Sequence, residues 1–312
     1  MSSERRKSGT FRSGLPYTRI GHGPRTLVVF VGLEYENKAP GGMTARYMST
    51  WFRTLLDEYT IYLSTRRPGM APGTTLGDMA DDYAATIGQE FGGPVDVMGT
   101  STGGSIALQF GADHSELIRR LVIHSAAYRL GPAGRWAQKN AAEMAAQGRW
   151  GAVTRLMMGW VMPRRGFKRA FFRPLSCLAG AVGPLTAPKD ASDFIVTVEA
   201  EDAFDLKDRL GEIAAPTLVI AGADDPGYSP ALFRETAEGI PDGRLVLYEG
   251  MGHPASGKRF TADLAAFLLD DAPADDSARG VRELTRLLHE SDDFRTALIP
   301  LRDGISVSVY GT

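Results

Sequence analysis

The residues with the clearest capacity for chemistry surround one serine. The stretch VDVMGTSTGGSIAL, Val95 to Leu108, sets Ser101 among glycines and threonines directly after an apolar run. A serine at a sharp strand-to-helix turn is lifted out of the fold on a strained backbone, and small neighbours, here Gly99 and Gly103, let that turn pack. The following helix brings its first amides under the serine, so the N–H of Thr102 can donate to an oxyanion. Other uses of such a turn fit less well. A phosphate loop needs a lysine after the glycines, and a dinucleotide loop needs glycine where the serine stands. Ser105 lies in a weaker Gly-x-Ser-x-Ala frame, one turn inside the helix, where it would point into packing. A tight turn with no chemistry is the bland alternative.

Serine is a weak nucleophile alone and needs a base, which in turn needs an orienting acid. The chain holds five histidines. His22 lies in an early turn, His114 on the helix after the elbow and His289 in the tail. His124 ends a strand but precedes any candidate acid. His253, in the glycine-rich loop EGMGHP after the last strand of the main alternating pattern, can swing over a sheet edge and is the expected base. The acid should leave the strand before it. AGADDP offers Asp224 and Asp225, of which Asp225 is favoured and Asp224 is the fallback. Aspartates also suit turns for backbone reasons, so one of the two can be a turn former only.

These side chains need a frame that brings loops to one edge. Apolar, β-branched runs supply it: TLVVFVG (26–32), TIYLST (60–65), PVDVMG (94–99), RRLVIHSA (119–126), PTLVIAG (216–222) and GRLVLYEG (243–250), with helical patterns near 44–56, 76–91 and after the elbow. Strands alternating with helices predict βαβ units and a mostly parallel sheet covered on both faces, and the unbroken apolar character agrees. LPYTRI, a GHGP turn and TLVVFVG together suggest a hairpin.

With GTSTGG, GADDP and GMGH in this order on these elements, residues 15–269 resemble the α/β-hydrolase superfamily, in its serine hydrolase branch. The resemblance implies an α/β-hydrolase fold, a Ser101, Asp225, His253 triad, and an oxyanion hole half built by the loop after Val31. Many members carry His-Gly there. This chain has FVGLE, so the second donor would be the amide of Leu33 and the loop must be supported from elsewhere. The activity implied is acyl transfer to water, with a small-ester carboxylesterase as the default. Thioesterase, lactonase, carbon–carbon hydrolase or cyclase, and a hydrolase-fold protein that only binds a ligand are the alternatives. No cofactor and no metal are expected.

The remaining organisation follows from composition. Residues 1–14 are expected to be frayed, 15–129 and 209–270 to form the core, 130–208 to form a helical lid inserted between strands, and 271–312 to form an extension with a helix and a hairpin around Asp303-Gly304. The stretch WVMPRRGFKRAFFRP, Trp160 to Pro174, mixes basic and aromatic residues and could meet an acidic carrier protein, although a solvated lid face explains it as well. A formal net charge of -2 gives no global field toward nucleic acid or membrane, and no apolar run is long enough to span a bilayer. One cysteine, Cys177, excludes an intrachain disulfide and, with no export signal in the first twenty residues, leads to the expectation of a cytoplasmic protein acting on a small acyl substrate. The extension is a candidate homodimer contact.

Overall fold

The computed structural model describes residues 6–161 and 187–270, and the backbone of two strands at 294–301 and 304–311. It divides into a unit of Met1–Leu268 and a unit of Leu269–Thr312. In the first, strands β1 (Lys7–Thr10), β2 (Pro16–Gly21), β3 (Arg25–Phe30), β4 (Tyr59–Ser64), β5 (Val95–Thr100), β6 (Ile118–His124), β7 (Thr217–Gly222) and β8 (Gly243–Tyr248) form one sheet. Its order is β1-β2-β4-β3-β5-β6-β7-β8. β1 and β2 pair antiparallel, as do β2 and β4, and every later pairing is parallel. The expected α/β class and mostly parallel sheet flanked by helices are therefore present.

The register matters for function. Phe30 pairs with Gly99 and Gly99 with Ile123, so β3, β5 and β6 end along one row, and β7, in register through Ile123 and Val219, runs on to Gly222. β3 and β5 are neighbours, yet β3 is followed in sequence by β4 on its other side. The strand order thus reverses between β3 and β5, and such switch points are where open α/β sheets bind ligands.

Helix α1 spans Gly42–Ser49, α2 Leu76–Glu90, α3 Thr102–Asp113, α4 Pro132–Ala146, α5 Trp150–Val161, α6 Ser192–Asp202, α7 Pro230–Gly239 and α8 Lys258–Leu269. α2 starts at a Thr75–Asp78 capping box and buries Leu76, Met79, Ala80, Tyr83 and Ile87, a helical spacing that faces the sheet. Tyr83 stacks on Phe30 of β3 at 3.6 Å between ring centroids.

Three expectations are corrected. β2 and β3 make no hairpin, because β4 lies between them. β2 instead pairs with β1, so Lys7–Thr10 is an edge strand within the segment expected to fray. Backbone pairing holds it, with Phe11 packed on Tyr17 and Tyr62; its polar sequence carries no strand signal. The helix expected over 44–56 stops at Ser49. The hydroxyls of Ser49 and Thr50 bond back to the carbonyls of Ala45 and Tyr47, which competes with helix continuation, and Trp51, Phe52 and Leu55 enter the core from turns.

Within 130–208 the described residues include the helices α4, α5 and α6 and no strand. They share a small core of Ala141, Ala145, Trp150, Val153, Phe194 and Val198, against which Leu33 and Tyr35 pack. The basic and aromatic stretch beyond Val161, with Cys177, lies outside the described residues, as does the helix expected near 278–290. In the second unit, β9 (Phe294–Leu301) and β10 (Gly304–Gly311) pair antiparallel, the hairpin expected around Asp303-Gly304. No helix among the described residues is long and apolar enough to cross a membrane.

Candidate active site

β5 and α3 place Ser101 at the N-cap of α3 with φ 54° and ψ −127°, a strained region for a residue with a side chain. The turn is tight enough to require its glycines. A Cβ on Gly99 would lie 2.2 Å from the Gly103 carbonyl oxygen, and one on Gly103 would lie 2.0 Å from that of Phe30. The Ser101 N–H donates to the His124 carbonyl at 2.9 Å, tying the elbow to β6.

Three of the expected residues meet there. His253 Nε2 lies 2.9 Å from Ser101 Oγ, and His253 Nδ1 lies 2.7 Å from Asp225 Oδ2. Asp225 and His253 are both buried. The other oxygen of Asp225 accepts the Gly227 N–H at 2.8 Å, which fixes the carboxylate in the turn after β7. Since a carboxylate only accepts, Nδ1 carries the proton and Nε2 is left to accept from Ser101. Asp224, the fallback acid, donates its backbone N–H to the Met251 carbonyl at 2.9 Å, linking the acid turn to the base loop.

The two expected amide donors border the same serine. Thr102 is the first residue of α3, so its N–H has no acceptor within the helix. Leu33 follows Gly32, whose Cα lies close enough to the elbow that an added Cβ would come within 3.4 Å of Ser101 Cβ. Leu33 and Ser101 line one cavity of about 240 Å³, together with Met48, Trp51, Met157 and His253.

Two residues of this region carried no signal in the sequence. Arg66, fully buried just past β4, donates from Nη1 to the carbonyls of Val31 and Gly32, both at 3.0 Å, and from Nε to Asn37 Oδ1 at 3.2 Å. It supports the loop that lacks the usual histidine. Burial lowers its pKa, and the nearby Tyr83 and Glu34 oppose that shift. In sequence, Arg66 is one of two adjacent arginines after a strand, which reads as a solvated turn. Glu201 of α6 is fully buried behind the elbow. It accepts from Thr102 Oγ1 (2.6 Å), Ser105 Oγ (2.7 Å) and Gln138 Nε2 (2.9 Å). One carboxyl group thereby joins the first turn of α3 to α4 and α6. Ser105 points into packing, as expected.

Glu34 also lines the cavity, half-buried. Burial raises its pKa, opposed by Arg66 and then Lys38. The other described histidines have partners of their own, and His289 lies outside the described residues. His22 Nδ1 bonds the Leu56 carbonyl, His114 pairs with Asp81, and His124 is fully buried.

Comparison with known proteins places this arrangement in a wide context. A family model described as alpha/beta hydrolase family matches residues 22–294. Among solved structures, an alpha/beta hydrolase enzyme from a Medee basin deep-sea metagenome library superposes with a TM-score of 0.72 at 16% identity, covering 86% of this chain and 100% of that one. An esterase from Exiguobacterium antarcticum gives 0.64 at 19% identity, with 84% and 98% covered. The enol-lactonase from Burkholderia xenovorans gives 0.62 at 15%, with 91% and 100% covered. At these identities the structural likenesses concern the fold.

Proposed function

This chain belongs to the alpha/beta hydrolase family, and on that premise we propose that it is a serine hydrolase that cleaves small carboxylic esters through an acyl-enzyme on Ser101. The observation that carries the reading is the unbroken contact from Ser101 Oγ through His253 to Asp225, at 2.9 and 2.7 Å. Ser101 Oγ attacks the ester carbonyl while His253 Nε2 takes its proton. Asp225 holds the ring and stabilises the imidazolium. The amides of Thr102 and Leu33 receive the oxyanion. Collapse breaks the bond to the alkoxy group, which leaves as the alcohol with the proton from His253. Water then attacks the acyl-enzyme, gives its proton to His253, and the acid departs as Ser101 is restored.

The cavity supports a small substrate. Its volume of about 240 Å³ and its mainly apolar lining suit a short acyl group, and among the described lining residues Glu34 is the one carboxylate. A lactone is an internal ester and needs the same steps. The helices of 130–208 are proposed to act as the lid that sets the acyl length, since Leu130, Ala137, Gln138, Met157 and Trp160 come from that region.

The test is a fluorophosphonate probe with p-nitrophenyl acetate as substrate. Wild-type protein is expected to be labelled at Ser101 and to turn the ester over. Ser101→Ala is expected to do neither. A wild type that takes no label would end the serine hydrolase reading, and labelling without turnover would point to chemistry other than ester hydrolysis.

A further inference from the structure

His124 and Ser125, at the end of β6, touch no part of the acyl-transfer steps above, yet they bond to the backbone on both sides of them. The hydroxyl of Thr100, the residue before Ser101, lies 3.2 Å from His124 Nδ1. The Ser101 N–H donates to the His124 carbonyl. On the other side, His124 Nε2 lies 2.7 Å from the carbonyl oxygen of Ala255, two residues after His253. The Ala255 N–H donates to Ser125 Oγ at 3.0 Å. Ala255 is therefore gripped at its N–H and its carbonyl by adjacent residues of one strand end, and the same strand end holds the nucleophile.

The chemistry of these contacts fixes the state of the ring. The Ala255 carbonyl only accepts, so Nε2 must carry the proton, and Nδ1 is left to accept from the Thr100 hydroxyl. That chain of bonds works for a neutral imidazole. Burial pushes the His124 pKa down to about 3, against the raising effect of the Ala255 bond. Phe260 stacks on the ring at 4.5 Å and Trp51 meets it edge-on at 5.1 Å, so it cannot turn away. Ser125 has φ 51°, a left-handed conformation that glycine would hold without strain. A serine kept there points to a use for its hydroxyl.

We propose that His124 and Ser125 are positioning residues that clamp the base loop to the nucleophile elbow, so that His253 and Ser101 stay in reach of each other. The proposal rests on the serine hydrolase reading. Small misplacements of reacting groups are costly: about 1 Å can lose about a hundredfold in rate. The clamp acts on the geometry of attack rather than on substrate binding.

Four variants of the full chain test it, with kcat, KM, melting temperature and the rate of fluorophosphonate labelling as readouts. His124→Leu is expected to lower kcat and the labelling rate by about ten- to a hundredfold, with KM within about twofold. His124→Gln keeps an N–H for the Ala255 carbonyl and is expected to recover most of that loss. Ser125→Ala and Ser125→Gly both lack the hydroxyl and are expected to lose kcat alike, by about tenfold, although the glycine variant melts higher because φ 51° suits it. Turnover that follows melting temperature across the four variants overturns the positioning role, as does a wild-type kcat in His124→Leu. If the wild type neither takes the label at Ser101 nor cleaves ester, the serine hydrolase reading fails and this proposal falls with it. A labelled, active wild type beside unmoved variants overturns the clamp alone.

Discussion

The two ends of β5 each bury a polar cluster built around a carboxylate, and they do different things. At the start, Asp96 Oδ2 accepts from the Tyr59 hydroxyl at 2.8 Å and from the Arg119 guanidinium. Arg119 also donates to the Leu268 carbonyl, which lies 2.8 Å from the Tyr59 hydroxyl, so the cluster ties the end of α8 to β4 and β5. Burial raises the pKa of Asp96, and Arg119 opposes the shift. At the other end, where Ser101 sits on its strained turn beside a cavity, His253 joins that serine to Asp225, so the carboxylate meets a histidine instead of a guanidinium. A permanent cation closes the first cluster, because Arg does not give up its proton. An imidazole leaves the second open, because it can take and return one.

The largest contrast comes from breaking each cluster once. Ser101→Ala is expected to lower kcat/KM by about 10⁴-fold or more while the melting temperature stays within a degree or two. Arg119→Met leaves Asp96 buried without its cation, which is expected to cost about 2–3 kcal/mol of stability, at the low end for broken pairs because Arg119 is partly exposed. Its kcat/KM, per folded molecule, should match wild type. Denaturant titration and ester kinetics on the two variants check the crossing, and a loss of activity in Arg119→Met without unfolding would dissolve it.

Arg66 sharpens the comparison, because here a buried guanidinium serves the end that carries the proposed triad. Arg66→Met is expected to let the Val31-Gly32-Leu33 loop relax, weakening one oxyanion donor and lowering kcat by about a hundredfold, or about 3 kcal/mol in the barrier. Arg66→Lys should not restore it, since a lysine cannot reproduce the planar fork that spans two carbonyls and Asn37. Recovery by lysine would mean that the charge, not the geometry, matters.

Acid sensitivity separates the ends again. His124 is neutral when folded, with its pKa pushed down to about 3, and takes a proton near 6.5 when unfolded. The unfolded chain thus binds more protons between those values, so stability falls as pH drops below about 6.5 and the loss levels off near 3. At pH 5 the penalty is about 2 kcal/mol. His124→Gln should show a flatter decline in urea midpoint from pH 7 to pH 5, and an unchanged slope would contradict the buried neutral ring.

Much of this was legible in the sequence for a physical reason. Buried parallel strands are apolar throughout, so six of the eight strands stand out from their composition alone. GTSTGG, GADDP and GMGH sit in loops at the strand ends, where residue type follows local backbone need and chemistry. What was missed depends on pairing across distance. Lys7–Thr10 becomes a strand only because β2 offers an edge, and β2 finds β4 rather than β3. Arg66 and Glu201 look like ordinary surface charges in a linear string; their burial is a property of what folds over them. The place of His124 in the sequence, ahead of any candidate acid, speaks to the role of base and not to that of clamp.

The smallest expected effect concerns Glu34, the carboxylate inside the cavity. Burial raises its pKa, so it ionises at a higher pH than an ordinary glutamate, with Arg66 and Lys38 limiting the shift. Once ionised it repels a substrate that carries a carboxylate of its own. Across a partly solvated cavity such a repulsion is about 1 kcal/mol. Glu34→Gln is therefore expected to raise kcat/KM for a hemiester of a dicarboxylic acid by about fivefold at pH 8, and to leave a neutral ester of the same length unchanged. The gain should shrink as pH falls through the raised pKa, because the wild-type side chain then becomes neutral too. Stability gives a second sign to check. A raised pKa means that the folded state holds its proton more tightly than the unfolded state, so Glu34 lowers stability as pH rises through that range, and the glutamine variant should lack this loss. Equal gains on charged and neutral esters would place Glu34 against the reacting groups rather than against the substrate's charge.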